Sequence, residues 1–355
     1  MCGMKNLLLT FLSITPLISS GQYQYGTLQE HFFGREPSAR AEAMGKAYAS
    51  ISGDIASTHY NPAGLAGIEG LETNISYNPS KYYRVPGYQT FFGAGYKVNR
   101  YLQFAFSQYH FDFGDLPIQY IFHRPYSERN ALSISSEPLK DLYIGANANY
   151  FVSQFGFKPA SCFYADLGVI KKFRFGSGED RILSIGASVT NLNNGRLIIS
   201  PANMYVKEPV GMYLPSLGRA GVNYSLHINK GWLNDTLKTL QVLVTADVQR
   251  TLNSNFGQSA FRSGCEFTLF EVLALRGGYY YQDVHDYGFS ENYSSIAQLT
   301  YGAGLLLPLN KLTSIPLRIS FDYTNLPLPD HSKVYTNWGN SQTFTLRLNW
   351  IHGKA

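Results

Sequence analysis

Charge is scarce in this chain. Asp, Glu, Lys and Arg together make up only 15% of its 355 residues, against roughly 25% in ordinary soluble domains. That scarcity, with aromatics also at 15%, excludes a solvated disordered polypeptide, which needs more charge and fewer rings. Long apolar runs are missing too. Beyond residue 21 no stretch approaches the ~18–20 uninterrupted apolar residues a helix needs to cross a bilayer. Basic clusters are absent: the net charge of +5 is scattered along the chain, so no nucleic-acid partner is expected. Cysteine is rare. Cys2 lies ahead of an apolar leader, which leaves Cys162 and Cys265. As strand residues, Cys162 shares a face with Tyr164 and Asp166, and Cys265 the opposite face with Phe267 and Leu269; the strands are not neighbours, so no disulfide is expected.

Motifs of chemistry are missing as well. The chain contains no His-Glu-x-x-His, Cys-x-x-Cys, Gly-x-x-x-x-Gly-Lys or Gly-x-Ser-x-Gly. Its eight His are dispersed; His110 with Asp112 and Asp115, and His285 with Asp283 and Asp286, are the nearest approaches to a metal or acid/base cluster. Both sit at strand ends or in loops, where such residues are usually just solvated. No catalytic residue, metal or cofactor is expected, and the chain is not read as an enzyme.

What is present is 27 Tyr, 33 Gly and 45% hydrophobic residues at a mean hydropathy of only -0.15. A membrane β-barrel has this composition, because only every second strand residue meets lipid. Residues 1–21 read as a cleaved secretory signal: Lys5, an apolar core from Leu7 to Ile18, then Ser19-Ser20-Gly21. Residues 22–70 form a separate lead-in. Residues 71–355 alternate apolar and polar side chains in strand-like segments at 71–77, 88–98, 101–110, 131–139, 142–154, 161–173, 182–192, 217–228, 240–250, 260–270, 272–283, 298–309, 317–325 and 343–351. Phe344, Leu346, Leu348 and Trp350 oppose Thr343, Thr345, Arg347 and Asn349; Val242, Val244, Ala246 and Val248 oppose Gln241, Thr245, Asp247 and Gln249. A soluble sandwich would also alternate, but in strands of about 5–6 residues. The expectation is an all-β fold: a transmembrane antiparallel barrel of about 14 strands, a form that leaves no unpaired edge in lipid. Tyr279, Tyr280, Tyr281, Tyr323 and Trp350 would supply its aromatic girdle. Connections are short at 99–100, 138–141 and 271, and long at 78–87, 113–130, 193–216, 285–297 and 327–342; the long ones face outward in such barrels. The connection at 229–239 breaks the rule.

The lead-in is Ala-rich and broken by Gly. Met44, Ala47, Tyr48, Ile51 and Ile55 recur at spacings of three and four, which predicts one face of a short helix with Ser38 as its N-cap. Gly53-Asp54 interrupts that pattern and Asn61-Pro62 forces a turn. Ser38-Ala39-Arg40-Ala41-x-Ala43-Met44-Gly45-x-Ala47-Tyr48, followed by Asp54 and then Tyr60-Asn61-Pro62-Ala63-Gly64-Leu65-Ala66, resembles the amino-terminal signature of the PorV/PorQ-type outer-membrane barrels, within the wider FadL-like superfamily. The resemblance is strong over about thirty residues; Ala165–Ile170, Leu183–Leu192 and Leu273–Tyr279 echo it further along.

The resemblance implies a partly helical hatch in the lumen, with Asn61, Pro62, Ala63 and Gly64 as its turn. It implies a Gram-negative outer-membrane location among lipid and lipopolysaccharide, and a role in type IX protein secretion through binding of translocon components or secreted cargo. The wider superfamily implies the alternative, uptake of hydrophobic small molecules. Exposed apolar loop residues Met204, Tyr205, Met212, Tyr213 and Leu214 would suit cargo binding. Asp247, Glu266, Arg276, Arg318, Asp322 and Arg347 fall on the inner face by parity; they either pair with one another and with the hatch, pinning it, or line a solute path.

Overall fold

In the computed structural model, residues 36–82, 85–118, 121–154, 158–176, 180–199, 210–228, 237–253, 259–285, 293–326 and 341–351 are described. The expected leader, 1–21, and the first part of the lead-in lie outside them. Eighteen strands follow one another: β1 (Leu71–Tyr82), β2 (Val85–Asn99), β3 (Leu102–Asp112), β4 (Leu116–Ile118), β5 (Ile121–His123), β6 (Tyr126–Leu139), β7 (Leu142–Gln154), β8 (Ala160–Phe175), β9 (Arg181–Thr190), β10 (Arg196–Ile199), β11 (Val210–Tyr213), β12 (Leu217–Ile228), β13 (Leu240–Thr251), β14 (Ser259–Leu269), β15 (Leu273–His285), β16 (Tyr293–Pro308), β17 (Leu317–Leu326) and β18 (Ser341–Trp350).

Fourteen of them close into one antiparallel barrel. Strands β4–β5 and β10–β11 form two small hairpins in the connections after β3 and β9. Closure is made by β1 with β18, in register from Leu71↔Trp350 to Tyr77↔Phe344. Each of the fourteen expected segments maps onto one barrel strand, and 142–154 and 217–228 are found with the predicted bounds. The strands run to 10–16 residues, longer than the alternation alone defines. Most of the connection expected at 78–87 is strand, because β1 and β2 stay paired out to Tyr82↔Val85.

Alternation fixes the two faces. Phe163 (71%), Leu299 (70%) and Leu132 (65%) are among the outward side chains most exposed, whereas their neighbours Tyr164, Thr300 and Ala131 are buried. On β18, Leu346, Leu348 and Trp350 face out while Thr345 and Asn349 are buried inside. The outward face is an apolar surface of the kind a hydrocarbon layer accepts. Tyr281 and Tyr301 are exposed towards the end with the long connections, and Trp350 at the opposite end. Tyr280 does not join them: it is buried in the lumen, its hydroxyl donating to Gln298 Oε1 at 2.5 Å. Period-two geometry cannot turn three consecutive tyrosines the same way. Cys162 and Cys265 are free.

Candidate functional site

The segment from 36 to 70 lies within the barrel, surrounded by inward-facing side chains. It is not the amphipathic helix its spacing predicts. Helix α1 (Ala39–Ala43) is a single turn, followed by two 3-10 helices, Ile55–His59 and Pro62–Gly67. Gly45 and Lys46 adopt φ of 63° and 66°, which ends the helix before Ala47. Ser38 precedes α1 but makes no side-chain cap bond. Capping falls instead to Asp54, which accepts from Ser57 N at 2.9 Å, and to Asn61, which accepts from Ala63 N at 3.1 Å.

Hydrogen bonds hold the segment from around the wall. Ala39 N donates to Thr345 Oγ1 at 2.9 Å, Gly45 N to Thr300 Oγ1 at 2.9 Å, Ala49 N to Asp247 Oδ2 at 2.7 Å and Ile55 N to Glu72 Oε1 at 2.8 Å. In return Asn147 donates to Thr58 O at 2.9 Å, Ser188 to Tyr60 O at 2.6 Å and Asn223 to Ser50 O at 2.7 Å. The Asn61 amide spans three carbonyls: Ala49 O at 2.7 Å, Val169 O at 3.1 Å and Ala187 O at 3.3 Å. Buried backbone groups of an irregular segment need such partners, because no ladder supplies them.

The six predicted inner-face charges are distributed around this segment. Arg40 donates to Glu266 through Nε at 2.8 Å and Nη2 at 2.7 Å, and reaches Asp54 at 3.2 Å. Glu266 is also held by Arg276 at 2.5 Å, and Arg276 by Asp322 at 2.7 Å. Arg347 lies 3.5 Å from Asp54, and Asp247 binds the hatch backbone at Ala49. Arg318 sits apart at the rim, 3.7 Å from the largely exposed Glu69. Buried charges are tolerable where they are paired and hydrogen-bonded, as Glu266, Arg276 and Asp322 are; Asp247 forms no ion pair among the described residues and instead accepts from the hatch backbone.

Shape holds the segment too, by a device the sequence reading missed. Gly145 and Gly168 are cross-strand partners on β7 and β8. A Cβ on either would collide with the Asn61–Pro62–Ala63 turn. Gly264 and Gly278 are partners on β14 and β15, and a Cβ on either would collide with Met44 or Gly45. Each pair opens a flat window through which hatch backbone touches sheet backbone. The signal was available: glycines on inward parity, opposite one another.

The lumen is not uniform. Towards the long connections an apolar cluster fills it, running from Ile55 and Leu65 of the hatch through Phe91, Tyr109, Phe111, Phe113 and Phe151 to Leu197 and Leu214. Beside it, His59 packs edge-on to Tyr60 and Tyr109, at 5.1 and 5.8 Å between centroids. Burial, then the positive charges of Arg129, Arg219, Arg262 and Lys46, hold its imidazole well below the ordinary range, so it is neutral at pH 7.

Of the proposed loop surface, Met204 and Tyr205 lie outside the described residues, as does the Met212 side chain. Tyr213 is half-buried, with the Arg196 guanidinium 5.4 Å from its ring centroid. Leu214 is fully buried in the apolar cluster, so it adds nothing to an exposed surface. His110 does not gather its aspartates: its Nδ1 lies 3.2 Å from Glu128, while Asp112 engages Arg124 at 2.8 Å. The His285 side chain is outside the described residues. Among the described residues no three His, Cys, Asp or Glu converge to hold a metal.

No family model matches this sequence, and neither does the sequence of any curated protein. Solved structures do match. The Pseudomonas putida toluene transporter TodX superposes with a TM-score of 0.53 at 12% identity, over 90% of this chain and 99% of its own. The Ralstonia pickettii toluene transporter TbuX gives 0.51 at 13%, over 90% and 99%. A Pseudomonas aeruginosa FadL homologue gives 0.53 at 10%, also over 90% and 99%. The barrel fold is shared with these proteins. The likeness spans 90% of this chain and 99% of each of theirs, at identities that speak for fold alone.

Proposed function

We propose that the chain is an outer-membrane channel protein for small hydrophobic molecules, exported by cleavage of residues 1–21 and seated among outer-membrane lipid and lipopolysaccharide. The observation that carries this reading is the aromatic-rich apolar cluster that fills the outer half of the lumen, where Phe91, Tyr109, Phe111 and Phe151 face inward from β2, β3 and β7. A conduit for polar solutes has no use for inward-facing phenylalanines, whereas an apolar solute leaving water gains about 25 cal/mol per Å² of surface it buries there. The solved structures of like fold include proteins whose titles name toluene transport, which supports the same reading. The hatch bars a straight path through the barrel, so passage requires part of it to shift.

The test is uptake of radiolabelled toluene by cells expressing the chain. The expected result is uptake several-fold above vector control, with no gain for a small sugar. Equal uptake with and without the protein overturns the reading.

A second reading is supported by one specific observation, the resemblance of Ser38–Ala66 to the signature of PorV/PorQ-type barrels. It makes the chain a carrier or docking barrel in type IX secretion, binding cargo or translocon components at its external loops. Purification of the native protein from detergent-solubilised membranes separates the two. Stoichiometric recovery of translocon or secreted proteins supports the export role, and their absence together with toluene uptake supports the channel.

A further inference from the structure

The lumen is packed on the long-connection side of the hatch but open on the other. Between the hatch and the short-turn ends of β8, β9, β12 and β13 lies a cavity of about 250 Å³. At roughly 30 Å³ per water it would hold about eight, the space of one small organic molecule. Its polar walls are Ser52, Lys172, Ser184, Asn223, His227 and Gln241, and its apolar walls are Ile51, Ile182 and Leu243.

The charges around it do not cancel. Arg40 and Glu266 also border the cavity, but they neutralise each other through two bonds of 2.8 and 2.7 Å. Lys172 has no such partner. Its ammonium lies 4.7 Å above the Tyr143 ring, and Asp141, the acidic residue of the neighbouring turn, is held by Arg174 at 2.9 Å. Among the described residues no carboxylate stands within ion-pair distance of Lys172. His227 adds no negative charge, and its Nδ1 draws the Lys238 ammonium to 3.1 Å at the cavity's edge. One ammonium, that of Lys172, therefore lines a small, partly apolar space with no carboxylate paired to it, an arrangement that an anion completes.

We propose that this cavity binds a small organic carboxylate, aromatic or short-chain, its carboxylate on Lys172 and its apolar body against Ile51, Ile182 and Leu243. The site stands independently of the channel reading: it lies on the opposite side of the hatch from the aromatic cluster, and its test measures binding rather than uptake.

The test is titration calorimetry on the full chain purified in detergent, with benzoate and hexanoate as probes and benzyl alcohol as the neutral control. Benzoate is expected to bind at least about tenfold more tightly than benzyl alcohol, the ratio that one charge-assisted contact supplies. Lys172→Gln should lose that preference and Lys172→Arg keep it, with both variants migrating as folded barrels in unheated detergent gels. Gln241→Glu, which sets a carboxylate in the cavity without touching Lys172, should weaken benzoate binding comparably and serves if Lys172→Gln does not fold. The proposal is overturned if the wild type binds neither anion, if benzyl alcohol binds as well as benzoate, or if Gln241→Glu and Lys172→Gln bind benzoate like the wild type.

Discussion

The flank of the hatch that faces β13–β18 and the flank that faces β7–β9 are both buried, yet they are held by different means. On the first, Arg40, Asp54 and Ala49 are engaged by Glu266, Arg347 and Asp247, with Arg276 and Asp322 extending the chain of charges into the wall. On the second no ion pair links hatch to wall among the described residues: Ala63 and Ala66 pack on Tyr143 and Ile170, the Asn61–Pro62 turn rests on the glycine window, and the Asn61 amide does the rest. Charge pairing is strong but tolerant of small displacements, because Coulomb energy falls only as the inverse of distance. Backbone contact through a glycine window is weak per atom and intolerant of any displacement. The first flank thus supplies most of the hold, and the second fixes where the hatch sits.

The largest effect should come from Glu266→Ala. It strips the shared partner from Arg40 and from Arg276, whose side chain is only 2% exposed; Asp54 and Asp322 remain, but the network is one negative charge short, and an uncompensated buried charge costs about 3–5 kcal/mol. The urea midpoint of the barrel in detergent should fall accordingly, with Glu266→Gln less damaging because it still accepts a hydrogen bond. A midpoint unchanged in Glu266→Ala would mean that the charges do not hold the hatch. Gly168→Val comes next. Its side chain must displace the Asn61 amide and Pro62, an overpacking that costs about 1–3 kcal/mol. The double variant sharpens the comparison. Because the two sites share no partner, their effects should add within about 0.5 kcal/mol; a larger coupling would mean that the hatch responds as a single rigid body.

Much of the barrel could be read from the chain because lipid outside and polar groups inside impose a period of two. Residues such as Leu346 and Arg347 announce their sides without any knowledge of their partners. The hatch was legible only in outline. The three-and-four spacing of Met44, Ala47, Tyr48, Ile51 and Ile55 suggests a helix with one buried face, but Ala49 and Ser50 between them are just as buried. A segment enclosed on every side has no solvent face to print a period. Inner-face charges could likewise be assigned by parity, but not their partners, since Arg40 and Glu266 stand 226 residues apart. Leu214 shows the limit for loops: an apolar residue there can seek a partner protein or the protein's own interior, and composition does not choose.

Asn61→Ala probes the second flank without steric insult. The side chain donates to three carbonyls and caps the Pro62–Gly67 turn, so its loss leaves buried acceptors unpaired at about 1–3 kcal/mol. Restoration of the midpoint by serine, which can still cap but reaches fewer carbonyls, should be partial. Full restoration would assign the role to the cap and not to the bridging amide.

Arg318→Ala should do least, and for an instructive reason. By parity Arg318 belongs with Glu266 and Asp322, and sequence alone ranks the three together. Its guanidinium instead meets Glu69 at 3.7 Å at the rim, with the Glu69 side chain 59% exposed. Water there competes with the pair and salt screens it, so the contact contributes less than about 1 kcal/mol. The urea midpoint of Arg318→Ala should lie within error of the wild type at high ionic strength. Its small deficit, if any, should emerge only as salt is lowered and screening weakens. Glu266→Ala, in contrast, should lose nearly the same stability at low and high salt, because Arg276 behind it is only 2% exposed and out of reach of ions. A salt-dependent Glu266→Ala, or a salt-independent loss in Arg318→Ala, would mean that depth below the rim does not set the strength of these pairs.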